Sequence, residues 1–106
     1  MVEATELFRA LADPTRLAVF ESVARREMTV SELTNQFEVS QPAISQHLTA
    51  LRNTGLVSQR REGRYVYYRA KPAGMKPLIH WLSHYQVFWQ EKMPRLKTLL
   101  KEMSDE

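Results

Sequence analysis

The sequence contains no cysteine. That absence removes disulfides, thiolate metal sites and thiol redox sensing together. No apolar run approaches the length that crosses a bilayer. The opening residues, MVEATELFRALADP, are amphipathic and lack the cationic start and apolar stretch of a secretory signal. A cytoplasmic location without membrane contact is therefore expected. There is no glycine-rich phosphate loop, and no nucleophile stands beside a base in an interpretable motif. Enzymatic chemistry is accordingly not expected, nor is a cofactor. Repeats and low-complexity tracts are also missing.

What is present is one domain's worth of chain, residues 1–106. At that size a lone subunit buries only a modest core, so a dimer seam would help. The net charge is only +3, but it is unevenly placed. Between Arg52 and Lys76 seven basic residues face one acid, a local charge of +6. The remainder holds eight basic and eleven acidic residues, or −3. A basic block in an otherwise acidic chain suits a local anionic partner, although a solvated charged hairpin would read the same way.

Periodicity divides the chain into short elements. Ala4, Leu7, Phe8 and Leu11 recur at helical spacing and predict a first amphipathic helix. Asp13-Pro14 reads as an N-cap with proline at the first helical position, opening a second helix with Leu17, Phe20, Val23 and Ala24 facing inward. Thr29 and Glu32 have capping-box spacing for a third helix over residues 30–37, with Leu33 and Phe37 buried. Ser40 caps a fourth, in which Pro42 lies in the first turn and Ile44, Leu48 and Leu51 form the core stripe. Gly55 follows as the C′ residue. Residues 56–61 and 65–70 are rich in β-branched and aromatic side chains and flank Glu62-Gly63-Arg64, which predicts a hairpin. From about Met75 one long helix is expected, its apolar residues spread over about 140°. Pro94 should kink or restart it near residues 91–93.

Two short helices joined by three or four residues, the second bearing uncharged hydrogen-bonding groups near its start, have the arrangement of a helix-turn-helix. Glutamine pairs with adenine, serine meets several base edges, and alanine or proline can contact a thymine methyl. A helix N-terminus offers N–H groups to a phosphate. Arg60, Arg61 and Arg64 around Gly63 would lie along the nucleic-acid backbone or probe the minor groove. Each residue also has a plainer use: Ser40 caps whether or not DNA binds, Pro42 starts a helix, and exposed Gln46 and Thr49 can simply be solvated. His47 lies beside the apolar stripe, which suits packing or backbone contact better than base reading.

The run MTVSELTNQFEVSQPAISQHLTALRNTGLVSQRREGRYVYYRA resembles the winged helix-turn-helix of the ArsR/SmtB family of bacterial transcriptional repressors. The preceding LFRALADPTRLAVF resembles that family's first two helices. The similarity spans residues 7–70 and rests on S-x-H-L-x-x-L-x-x-x-G-L-V from Ser45, followed by R-x-G-R-x-x-x-Y from Arg61. The resemblance implies a mainly α fold with a small β-hairpin wing, in the order four helices, two strands and one helix. It further implies a homodimer built on residues 1–12 and 75–103, a helix-turn-helix over 30–54 and a wing over 56–70. By that match Ser40, Gln41, Pro42, Ala43, Ser45, Gln46 and Thr49 face DNA, and Arg61, Gly63 and Arg64 form the wing tip. Leu7, Leu11, Trp81, Tyr85, Phe88, Trp89 and Leu96 become the dimer interface, since large aromatics at helical spacing usually pack on a partner helix.

Some members of the family release DNA when a metal or oxidant binds. The cysteine route is closed, because the third helix reads Val30-Ser31-Glu32-Leu33-Thr34. His80, His84 and Glu91 would fall within about 40° of one another on one continuous helix, a possible zinc set, though plain solvated surface explains them as well. An apolar ligand pocket among the aromatics is a weaker reading than a dimer core. The leading expectation is a sequence-specific dimeric DNA-binding repressor of its own or a neighbouring operon, acting on double-stranded DNA with two-fold-related half-sites. The alternatives are a metal-responsive repressor using His80, His84 and Glu91, or a winged-helix module that binds protein or RNA.

Overall fold

The computed structural model describes residues 3–104, and within them every side chain except those of residues 87–90, 93, 96 and 104. Six α-helices and one two-stranded sheet follow in the order α1 (Ala4–Leu11), α2 (Pro14–Arg25), α3 (Val30–Phe37), α4 (Gln41–Asn53), β1 (Val57–Glu62), β2 (Tyr65–Ala70), α5 (Lys76–Ser83) and α6 (Gln86–Ser104). A 3₁₀ turn, Pro72–Met75, joins β2 to α5.

The helix starts obey local chemistry. Asp13 accepts from the Arg16 backbone N–H at 2.9 Å, with Pro14 just inside α2. Thr29 and Glu32 cap reciprocally, the Glu32 N–H reaching Thr29 Oγ1 at 3.2 Å and the Thr29 N–H reaching Glu32 Oε1 at 3.0 Å. That backbone donor, ahead of the Arg26 contact, holds the Glu32 carboxyl below its ordinary pKa. Ser40 Oγ accepts from the Ala43 N–H at 3.2 Å and begins α4. Between α3 and α4 the chain turns through Glu38 at φ 54°, an unusual left-handed position for a side chain with a Cβ.

One core collects these elements. Leu33, Ile44, Leu48, Leu51, Leu56 and Val19 are at most 1% exposed, and Leu78 joins them from α5. Phe37 packs on the core, half-buried. The inward side of α2 keeps Val23 and Phe20 as predicted but not Leu17 and Ala24. Val19 and Val23 are buried, whereas Ala24 is exposed and Leu17 is 37% exposed. Ser22 enters the core because its hydroxyl donates to the Ala18 carbonyl at 3.0 Å and accepts from Gln36 at 2.9 Å, which satisfies its polarity.

The strands pair antiparallel, with Glu62 opposite Tyr65, so the hairpin loop is Gly63-Arg64 alone. Gly63 has φ +61° and Arg64 lies in the ordinary negative region, the type II′ pattern that suits strand twist. Met28, between α2 and α3, exchanges both backbone hydrogen bonds with Tyr68 at 3.0 and 2.8 Å and so pins β2 to the helices. After the wing, Gly74 packs against the end of α4, where a Cβ would collide with the Gly55 carbonyl oxygen.

The expected single C-terminal helix is broken at His84 and Tyr85. Their N–H groups bond three residues back, to Trp81 at 3.2 Å and Leu82 at 3.0 Å, which tightens and ends α5. The interruption therefore comes before residues 91–93, and Pro94 sits inside α6. No helix among the described residues is long and apolar enough to cross a membrane.

Candidate nucleic-acid interface

Burial gives α4 two sides. Ile44, Leu48 and Leu51 are buried beneath it, while Ser40, Gln41, Pro42, Ser45, Gln46 and Thr49 are exposed and Ala43 is half-buried. Successive residues turn about 100°, so Pro42, Gln46, Thr49 and Asn53 share one outward strip with Ser45 on one flank and Ala43 on the other. The strip is uncharged, and hydroxyl and amide groups on a rigid helix are suited to base edges.

Buried Leu56 and Val57 seat the hairpin beside α4, and Arg52 Nη1, on the last turn of that helix, donates to Gln59 Oε1 on β1 at 3.0 Å. Alternation places Gln59 and Arg61 on one face of the hairpin, and Arg60, Glu62, Tyr65 and Tyr67 on the other. Arg61, Gly63 and Arg64 are exposed. Neither Arg61 nor Arg64 has an ion pair or side-chain hydrogen bond among the described residues, so both guanidiniums remain available to an anion.

Arg60 departs from the expectation that three wing arginines stand free. Its Nη2 meets Glu27 Oε2 at 2.6 Å, its Nη1 meets Glu62 at 2.8 Å, and its guanidinium lies 4.8 Å over the Tyr67 ring. Arg69 Nη1 approaches the other Glu27 oxygen at 3.6 Å. The Arg60 hydrogen bonds hold the Glu27 carboxyl below its ordinary pKa, and the same contact raises that of Arg60. Sequence reasoning missed Glu27. It lies 33 residues from Arg60, and no local spacing marks the pair.

The predicted dimer residues separate into three groups. Leu7 is fully buried in the subunit's own core, so it has no surface left for a partner, and that expectation is corrected. Leu11 is half-buried against the same core. Trp81 and Tyr85 are 41% and 49% exposed, with ring centroids 5.0 Å apart. Phe8, expected to face inward, is 46% exposed and meets Trp81 edge to face at 5.3 Å. The side chains of Phe88, Trp89 and Leu96 lie outside the described residues.

His80 and His84 stack edge to face at 4.8 Å, and His84 Nδ1 lies 3.0 Å from the His80 carbonyl oxygen. Glu91 belongs to α6, beyond the break, so the single-helix arc that would group the three does not exist. Among the described residues no three metal-ligating side chains converge. Both histidines instead wall a cleft of about 700 Å³ between α1, the end of α4 and α5, shared with Lys71, Lys76 and Trp81. Two lysines in that wall oppose the entry of a further cation.

Residues 13–59 match the family described as "Bacterial regulatory protein, arsR family". The chain is 45% identical over 74 residues to the HTH-type transcriptional regulator KmtR of Mycobacterium tuberculosis, a match covering 70% of this chain and 57% of that one. It is 48% identical over 63 residues to the transcriptional repressor SmtB homolog of Synechocystis, covering 59% of this chain and 48% of the relative. The chain thus spans about half the length of these curated relatives. Among solved structures, an ArsR-like transcriptional regulator from Rhodococcus sp. RHA1 superposes with a TM-score of 0.71 at 30% identity, over 90% of each chain. With a helix-turn-helix on a buried core, a tight wing with Arg61 and Arg64 exposed at its end, and these similarities, the chain belongs to the ArsR family of bacterial regulatory proteins.

Proposed function

We propose that residues 1–106 act as a winged helix-turn-helix domain that represses transcription by occupying duplex DNA as a homodimer. The outward strip of α4, from Ser40 to Thr49, enters the major groove and reads bases. Arg61 and Arg64 flank it on phosphate or in the adjacent minor groove, and Gly63 lets the tip approach closely. The observation that carries this reading is the division of labour between neighbouring surfaces. An uncharged exposed helix face stands beside a wing whose exposed tip arginines have no anionic partner among the described residues. The exposed Phe8, Trp81 and Tyr85 rings offer the second copy an apolar seat. The name repressor carried by the Synechocystis relative supports repression as the outcome.

The test compares Gln46→Ala with Arg64→Ala on a duplex selected by the wild-type protein and on random duplex. Loss of a base contact at residue 46 should cost about 1–3 kcal/mol on the selected duplex and little on random DNA. Loss of a phosphate contact at residue 64 should weaken both alike and flatten the salt dependence. Identical behaviour of the two variants on both duplexes overturns the assignment.

A further inference from the structure

A polar junction beneath the reading face was not among the expected contacts. Arg16, on the first turn of α2, points Nε at His47 Nδ1 of α4 at 3.4 Å and Nη1 at the Ala10 carbonyl of α1 at 3.3 Å. One side chain thereby ties the ends of two helices to the middle of the recognition helix. Asp13 also stands near, but its Oδ1 is already taken by the Arg16 backbone N–H at 2.9 Å. That donor chiefly keeps the Asp13 carboxyl below its ordinary pKa.

The chemistry of this contact has a direction. A guanidinium N–H can only donate, so His47 Nδ1 must supply a lone pair. A neutral imidazole that accepts at Nδ1 carries its proton on Nε2. Among the described residues no hydrogen bond uses that Nε2–H. His47 is half-buried and lies one residue, about 100°, around α4 from Gln46, at the boundary between the core stripe and the outward strip. Ala43 and Ala50 sit beside it on the same boundary and are too short to cover it.

We propose that Arg16 locks His47 in the Nε2–H tautomer and that this proton is a fixed donor to a DNA phosphate beside the recognition helix. The inference rests on the DNA-binding reading above and adds two residues to it. His47 makes the contact, and Arg16 is a positioning residue acting through it. A neutral donor at this place sets the depth and rotation of α4 in the groove without adding charge to the wing's nonspecific grip.

Ring ¹³C and ¹⁵N NMR of the free wild-type protein should show the Nε2–H tautomer, and Arg16→Met should give a mixture. Because Arg16 also holds the end of α1, variants at residue 47 supply an independent arm. His47→Asn can still accept from Arg16 near the Nδ1 position but presents nothing at Nε2. His47→Gln can place a donor near Nε2. On a duplex selected by the wild-type protein, His47→Asn should bind about ten-fold more weakly and His47→Gln within about two-fold of wild type. Scanning that duplex with single methylphosphonates should reveal one position in each half-site that penalises wild type and leaves His47→Asn unaffected. An Nδ1–H ring in the wild type overturns the lock. Equal binding by the two variants, or no discriminating phosphate, overturns the contact. If the wild type selects no duplex at all, the DNA reading and the phosphate contact fall together, while the spectra still decide the tautomer.

Discussion

Glu27 takes Arg60 and Arg69 out of the wing's free charge and fastens the hairpin base to the segment between α2 and α3. Its pKa is lowered on folding, so the unfolded chain takes up that proton more readily. The resulting stabilisation is complete above the ordinary glutamate value of about 4.3 and is lost as pH falls through the lowered one. Glu27→Gln should therefore flatten the acid limb of the stability curve measured by urea unfolding. It should also release Arg69, while Arg60 keeps Glu62, raising affinity for random duplex and steepening its salt dependence; an unchanged salt slope would refute that part. At Ser40 the structural and functional uses can be separated. Ser40→Ala should cost about 1 kcal/mol, a fall in Tm of roughly 4–8 °C, whereas Ser40→Gly should cost only a few tenths. If the glycine variant is nearly as stable as wild type yet binds the selected duplex more weakly, the hydroxyl meets DNA as well as the helix. Caps such as Asp13, Thr29 with Glu32, and Ser40 were legible because donor and acceptor lie three residues apart. Glu27 with Arg60 and Arg16 with His47 were not, since partners 33 and 31 residues apart meet only after folding.

At the scale of elements, α3, α4 and the hairpin matched their predicted spans closely, because apolar period, cap and turn all agree in that stretch. The first helix kept its span but not its expected inward face, and the C-terminal helix is two. Phe8 belongs to an apolar stripe that looks wholly inward from spacing, yet it turns outward to Trp81 while Leu7 and Ala10 fill the core. Spacing specifies which residues share a face, but not where the subunit's core stops and a second surface begins. The α5–α6 break is equally silent in sequence. Neither glycine nor proline stands at residues 84–85, and the ending consists of two three-residue backbone bonds. If the Phe8, Trp81 and Tyr85 ridge seats a second copy, Trp81→Glu should convert the dimer to monomer by sedimentation while leaving helical circular dichroism nearly unchanged. A Trp81→Glu protein that remains dimeric would move the interface elsewhere.

In the proposed homodimer the decisive quantity is the distance between two reading helices, a property of two copies. Half-sites recognised by such a pair lie about 34–36 Å apart. Inserting five base pairs between the half-sites of a selected duplex rotates one away by half a turn and should reduce affinity to that of a single subunit. Ten inserted pairs restore the facing but not the distance, so recovery should be partial at most. An affinity indifferent to both insertions would exclude a rigid two-fold complex. The order of elements through the wing, their caps, the buried stripe of α4 and the glycine at the wing tip could be derived from the chain alone, since each depends on neighbours within a few residues. Which arginines stay free, which histidine nitrogen carries a proton and where the C-terminal helix breaks required the folded molecule. Those outcomes depend on charges and hydrogen-bonding groups brought together from distant parts of the chain, and a linear order does not encode their distances.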